Sequence, residues 1–383
     1  MNGLPRLIGV EEELLLVDPE TGRALPVADR VVDAARQRSP AASVRGPSSA
    51  AAPRATELVH EAKLEQIEVI SPPFESLDEV ARAIVEGRAM ADHAAQTQGA
   101  RAAALATSVV AGSTHLTEQP RYEHISELFG LTMEEQLSCG MHIHVSVLDK
   151  HEGVAVLDRM RPWLHVLLAL SANSPMWAGV DTGYASYRYQ AWMRWPSAGS
   201  YDRFGSAEEY RHLMRALVTS GVILDPGMVY FDARLSAHQP TVELRAPDVC
   251  LEPEAAVALA GLSRALVETE SANWRAGAPV DPYPTSLMRL AMWSASRYGL
   301  GANLWDPNSR GPRKARLVVE ALLRHVGPAL RDFGDDERVR TAIARIFEEG
   351  TGADVQRRTM QHAASEVAVV REAIRRSAGA ERG

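Results

Sequence analysis

Two histidines spaced two apart point to the first chemistry. The stretch Gly140-Met-His-Ile-His-Val-Ser-Val147 alternates Met141, Ile143, Val145 and Val147 with His142, His144 and Ser146. In a strand, side chains at i and i+2 share a face, so both imidazoles and the Ser146 hydroxyl point the same way. Paired imidazoles suit a metal ion or a polyphosphate. A half-buried strand whose histidines merely meet water is the plainer alternative.

Three acidic segments strengthen the first reading: Glu11/Glu13, Glu61/Glu65/Glu68, and Glu243 with Arg245. A carboxylate among apolar strand residues is costly unless it is paired or bound to a cation. Any one segment could be a solvated face. If all the faces converge, they form a cage of about five carboxylates and one or two imidazoles, which suits Mg²⁺ or Mn²⁺ and not Zn²⁺. Such cages commonly hold nucleotide phosphates. Arg245 shares the face of Glu243 and could neutralise a transferring phosphoryl group, as could Arg234 on a partner strand. A structural ion pair is the alternative for each arginine. The chain has no Walker-type glycine loop, so a nucleotide must rely on metals, basic side chains and an adenine slot.

The elements that must position these residues can be read from periodicity and turn chemistry. Residues 7–17 read as a strand with Glu11 and Glu13 on one face and Val10, Glu12 and Leu14 on the other. A turn at 18–22 leads into a short second strand at 24–27. Residues 39–56, rich in Ala, Ser, Pro and Arg, read as a mobile loop. Residues 57–70 read as one strand, bulged if Glu61 and Glu68 are to share a face. Ser76 with Glu79 forms a capping box for a helix to about residue 98. A short strand is expected at 102–109, and loop with a helical turn at 121–137. A helix at 154–170 is kinked or restarted at Pro162. Residues 174–196 read as irregular. Ser206 and Glu209 start another helix, ended by Gly221. Strands at 228–235 and 240–246 form a hairpin. Helices follow at about 254–276, 285–298, 311–331, 337–348 and 353–378. This order argues an α+β fold with an antiparallel or mixed sheet.

Composition narrows the function. The 383 residues are 46% hydrophobic and 23% charged, ordinary for a soluble globular protein, and the formal net charge of −8 argues against a general nucleic-acid binder. Two cysteines, Cys139 and Cys250, exclude a disulfide framework and fit a reducing cytoplasm. No leader peptide is indicated, and no apolar run approaches the ~20 residues of a membrane span.

The motifs also carry a resemblance. Gly140-Met-His-Ile-His-Val-Ser146 resembles the histidine strand of glutamine synthetases, and Thr241-Val-Glu-Leu-Arg-Ala-Pro-Asp248 their late Glu-x-Arg-x-Pro-Asp strand. Gly9-Val-Glu-Glu-Glu-Leu-Leu-Leu-Val17 is closer to the first strand of glutamate–cysteine ligases. Further matching stretches are Ile67-Glu-Val-Ile-Ser-Pro72, Asp181-Thr-Gly-Tyr-Ala-Ser-Tyr-Arg188, Arg194-Trp-Pro196, Tyr298-Gly-Leu300 and Leu304-Trp-Asp-Pro307. The whole chain thus resembles the carboxylate–amine ligases called type 2 glutamate–cysteine ligases.

The resemblance implies one catalytic domain over residues 1–383, its sheet within about 1–250 and a helical part at about 251–383. It implies a glutamine-synthetase-like fold, shared in outline with guanidino kinases, in which an antiparallel sheet of about six strands is backed by helices. It implies ATP, Mg²⁺ with Mn²⁺ as a substitute, and amide formation through an acyl phosphate. Glu11, Glu13, Glu61, Glu68, His142 and Glu243 match metal ligands, with Glu65 as a fallback. His144, with Ser146 on its face, and Arg245 match the nucleotide side. Arg188 and Arg194 match contacts to a substrate carboxylate. The implied substrates are small molecules, glutamate and cysteine first, with another carboxylate or amine as the alternative and guanidino phosphotransfer as a lesser one. Nucleotide binding without turnover is a further alternative. A homo-oligomer is the implied state.

Overall fold

The computed structural model describes residues 6–38 and 53–379; of the predicted loop, residues 39–52 lie outside that range. The chain runs through β1 (Ile8–Val17), α1 (Ala28–Arg38), β2 (Glu57–His60), β3 (Gln66–Ile70), α2 (Leu77–Gln96) and β4 (Arg101–Ala103). It continues through α3 (Pro120–Phe129), α4 (Leu131–Glu134), β5 (Met141–Ser146), α5 (Lys150–Met160) and α6 (Leu164–Ser171). A two-stranded ribbon, β6 (Met176–Trp177) and β7 (Val180–Asp181), precedes α7 (Tyr187–Trp192), α8 (Ala207–Thr219), β8 (Ala233–Leu235) and β9 (Thr241–Leu244). The remainder is α9 (Pro253–Arg275), α10 (Thr285–Tyr298), the hairpin β10 (Asn303–Asp306) and β11 (Gly311–Lys314), then α11 (Ala315–His325), α12 (Gly327–Phe333), α13 (Asp336–Glu349), α14 (Gly352–Ala363) and α15 (Glu366–Ser377).

The main sheet has seven strands in the order β2-β3-β1-β5-β9-β8, with β4 pairing β1 beyond this path. Every pairing in it is antiparallel. One face is covered by helices. Ile8, Val10, Met141, Ile143, Val145, Val242 and Leu244 join a buried cluster with residues of α2, α5, α6 and α9. The other face carries the charged side chains.

Glu12 is the exception on the apolar face. Arg88 of α2 donates to it twice, from Nε at 2.9 Å and Nη2 at 2.6 Å, and also to the carbonyls of Cys250 and Leu251. A buried carboxylate is tolerable only when so paired. One helix side chain therefore ties β1 to the start of α9. The helix lies close to the sheet because Gly87 has no side chain: a Cβ there would sit 2.5 Å from Val69 Cγ1.

The capping box of Ser76 and Glu79 is present at the start of α2. Several segment expectations change: residues 24–27 make only an isolated bridge, Ala24 to Val17, residues 121–137 hold α3 and α4, and residues 174–196 hold β6, β7 and α7. Residues 57–70 form a hairpin, not a bulged strand. Residues 28–38, assigned no element from sequence, form α1. Residues 311–314 pair with β10 before the helix begins, and that helix breaks again between α11 and α12. The long last helix is divided at Ala364, whose φ of 47° is left-handed, with Ser365 capping α15. Cys139 and Cys250 are buried free thiols. No helix of the described residues is long and apolar enough to cross a membrane.

Candidate active site

Register builds the site. Side chains of residues directly opposite in neighbouring strands lie on one face. Glu13 is opposite Glu68, Glu11 opposite His142, His144 opposite Glu243, and Glu243 opposite Arg234. Steps of two along β1 and β5 join these pairs into one wall. The hairpin resolves the odd separation of Glu61 and Glu68. Val59 is opposite Glu68, and Glu61 stands two residues beyond Val59, on the same face.

On this wall Glu11, Glu68 and His142 can bring one ligand atom each within 4.8 Å of one another, and so can Glu13, Glu61 and Glu68. Glu68 belongs to both groups. Glu11 lies between the two histidines, 3.2 Å from His142 Nδ1 and 3.3 Å from His144 Nε2. Glu13 accepts the Gly140 N–H at 2.5 Å, and Glu61 that of Ala62 at 3.0 Å.

Burial, and then the Glu13 charge, push Glu61 up to about 8. Burial and the charges of Glu11, Glu61 and Glu13 hold Glu68 well above the ordinary carboxylate range. Burial followed by the charge of Arg245 lowers His142. Burial also acts to lower His144, but the Glu11 carboxylate overrides it and the net shift is upward. His142 Nε2 is buried without a hydrogen-bond partner, whereas His144 Nε2 faces the Glu11 carboxylate. Crowded carboxylates with raised values beside a buried, unpartnered imidazole nitrogen fit a divalent cation. The donors are mostly oxygen, which suits a hard divalent ion. Glu11, Glu13, Glu61, Glu68 and His142 could hold it.

Glu243 sits differently from the expectation of a metal ligand. Arg234 donates to it from Nε at 2.8 Å and Nη2 at 3.1 Å, and Arg245 donates from Nη1. Burial acts to raise it, but these two guanidinium groups hold it well below its ordinary value. It belongs to neither three-ligand group. Arg234 spends Nη1 on the carbonyls of Pro226, Gly227 and Val229, so it braces that loop. Arg245 keeps a buried Nε without a partner and lies 5.8 Å from the Trp192 ring and 5.9 Å from Tyr230. That N–H is free to donate to an anion in the cavity.

The wall lines a cavity of about 1030 Å³ that takes in Glu11, Glu13, Glu61, Glu68, His142, His144, Arg234, Glu243 and Arg245. Four sequence-derived assignments lie apart from it. Ser146 closes the end of the central strand β5, where its hydroxyl accepts the Leu7 N–H. Glu65 is buried against His115, Nδ1 to Oε1 2.5 Å, so the fallback ligand is spent elsewhere. Arg188 is buried behind the wall, donating to the carbonyls of Ala246 and Arg245, 3.7 Å from Asp248. Arg194 pairs with Glu135 at 2.5 Å over the Trp177 ring. Neither arginine lines the cavity. The cavity also contains Arg121, Tyr122, Trp192, Trp195, Tyr230 and Asp225, which sequence reasoning missed. They come from segments without a clear period, so only their aromatic and charged character marked them.

Family membership sets the class of this protein: a ligase that joins a carboxylate to an amine. The chain belongs to glutamate–cysteine ligase family 2, whose model matches residues 7–378. It is 50% identical over 353 residues to a protein of Paenarthrobacter aurescens named as a candidate glutamate–cysteine ligase 2-1, covering 92% of this chain and 90% of that one. It is 44% identical over 374 residues to a candidate glutamate–cysteine ligase 2-1 of Streptomyces avermitilis, covering 98% of this chain and all (100%) of the relative. Among solved structures it shares its fold with the glutamate–cysteine ligase of Francisella tularensis in complex with AMP, at TM-score 0.69 and 12% identity, covering 98% and 89% of the two chains. It also shares it with a bifunctional glutathione synthetase from Pasteurella multocida, at TM-score 0.70 and 14% identity, covering 98% of this chain and 52% of that one.

Proposed function

We propose that this ligase activates the side-chain carboxylate of glutamate with ATP and joins it to an amine, cysteine first, through an acyl phosphate. The observation that carries this reading is the pair of three-ligand groups sharing Glu68, beside a buried arginine with an unpaired N–H. Divalent ions, Mg²⁺ or Mn²⁺, when bound, neutralise nucleotide phosphate oxygens. Glu11, Glu13, Glu61, Glu68 and His142 would hold them, and His144 would face the nucleotide phosphates. Arg245 offsets charge on the transferring phosphoryl group, a task suited to a fixed donor in a dry site. Glu243, held by Arg234, orients Arg245. The amine nitrogen then attacks the acyl carbon, forming the amide as phosphate leaves.

Product mass after incubation with ATP, Mg²⁺, glutamate and a mixture of amines tests this. ADP should form only when both a carboxylate and an amine are present, and the mass names the amine. Steady ADP release with neither would refute it. The same reading puts the enzyme in the cytoplasm, where Cys139 and Cys250 stay reduced. It also makes it a homo-oligomer, for which exposed Leu290, Trp293 and Tyr298 of α10 offer an apolar face. Light scattering reads the oligomeric state directly.

A further inference from the structure

Four cationic side chains, histidines aside, line the cavity among the described residues: Lys63, Arg121, Arg234 and Arg245. Three are committed. Arg234 and Arg245 are nearly buried and hold Glu243. Lys63 is 3% exposed and donates to Thr114 Oγ1 at 2.8 Å and to the Glu134 carbonyl at 3.1 Å. Arg121, in the first turn of α3, is different. It pairs with Asp225 through Nη1–Oδ2 and through Nη2–Oδ1 at 3.4 Å, and the two side chains are 38% and 41% exposed. A pair half in water is weakly held, so its two ends can exchange each other for a ligand.

The pair is nonetheless well placed. Asp225 Oδ1 accepts the Gly227 N–H at 2.7 Å, and Arg234 Nη1 donates to the Gly227 and Val229 carbonyls at 2.8 and 2.9 Å. The guanidinium that grips Glu243 therefore also fixes the loop bearing Asp225. Tyr230, at the end of that loop, lies against Arg245. An arginine and an aspartate side by side match the α-carboxylate and α-ammonium of an amino acid.

We propose that Arg121 and Asp225 are the amino-acid clamp for the donor: the pair opens, Arg121 takes the α-carboxylate of glutamate, Asp225 takes its α-ammonium, and the side-chain carboxylate extends toward Arg245. The clamp deepens the glutamate reading above and rests on it. It suits the donor and not the acceptor. The acceptor nitrogen must be uncharged to attack, whereas an ammonium held on a carboxylate is no nucleophile. Three carbon–carbon bonds, roughly 4 Å, separate the α-carbon of glutamate from its activated carboxylate.

Two analogues each remove one half of the recognised group: glutarate lacks the ammonium, and 4-aminobutyrate lacks the α-carboxylate. With hydroxylamine as acceptor, any acyl phosphate is trapped as a hydroxamate whatever the natural amine. The wild-type enzyme should prefer glutamate to both analogues in kcat/KM. Asp225→Asn, which keeps the bond from Gly227, should cut the preference over glutarate at least roughly tenfold, and Arg121→Gln should do the same for 4-aminobutyrate. Arg121→Lys, which keeps the charge, should retain most of that preference. A purely structural role would move all three donors together and leave the ratios unchanged; that result overturns the clamp while leaving the ligase reading standing. If the wild-type enzyme makes no hydroxamate from any donor, the ligase reading falls and takes the clamp with it.

Discussion

Glu13 and Glu68 stand directly opposite each other on β1 and β3, and each lies 3.9 Å from a ring nitrogen of His142. Two carboxylates held in register with one imidazole form a donor set suited to a divalent cation. Most of the expected behaviour follows from this.

Stability and metal binding should depend on pH together. Burial and neighbouring charge raise Glu61 to about 8 and hold Glu68 well above the usual carboxylate range. From about pH 4.5 upward the native state keeps protons that the unfolded chain has released, so metal-free stability falls as pH rises through the raised values. His142, lowered by burial, opposes this, but only below its ordinary 6.5. The metal-free midpoint of thermal unfolding should drop between about pH 5.5 and 8.5, and Mg²⁺ should raise it more at the higher pH. Calorimetry in buffers of different ionisation heat should detect proton release on Mg²⁺ binding.

Arg245 and Arg234 should separate by phenotype. Arg245→Gln removes the cation proposed above to face the transferring phosphoryl group, and kcat should fall about 10²–10³-fold. Arg234→Gln should act through the loop at 226–229 and through Glu243, lowering the unfolding midpoint and raising the donor KM. Steady-state kinetics beside thermal melts on both variants would show the split, and identical profiles would contradict it.

The Glu12–Arg88 pair should be structural. Arg88→Met leaves a buried carboxylate unpaired and should cost ~3–5 kcal/mol. Replacing both partners, Glu12→Leu with Arg88→Met, should recover much of that loss. Urea denaturation of the two single variants and the double variant measures the coupling.

Gly140 and Arg188 should be intolerant for a steric reason. A Cβ on Gly140 would lie 2.1 Å from Arg188 Nη2 and 2.7 Å from its Cζ, and that guanidinium is buried. Gly140→Ala should destabilise by about 1–3 kcal/mol. Because the Gly140 N–H bonds to Glu13, it should also weaken Mg²⁺ binding. Unfolding curves with an Mg²⁺ titration test both effects.

Much of the wall was legible because strand alternation is a local rule. Period two put Glu11 with Glu13 and His142 with His144, and it put Glu12 on the other face, where Arg88 meets it. The helices with capping boxes or clear apolar spacing were legible for the same reason. The rest depended on long-range partners. The turn at 61–65 and the hairpin at 303–314 are set by pairing, which a periodic reading of one segment does not see. Arg188 and Arg194 matched a family pattern, yet their direction follows from how α7 packs behind the strand ends.

The order of residues by itself determined which side chains share a strand face, the oxygen-rich character of the donor set and membership of the ligase family. Only the tertiary structure decided which of those side chains meet. Register brought Glu61 to Glu68 by a turn and spent Glu65 on His115. It closed two arginines on Glu243 and placed Arg121 opposite Asp225 in the cavity. The physical reason is reach: backbone alternation fixes direction over two residues, whereas an ion pair or a metal site needs atoms within a few ångströms, and only the packed sheet supplies that distance.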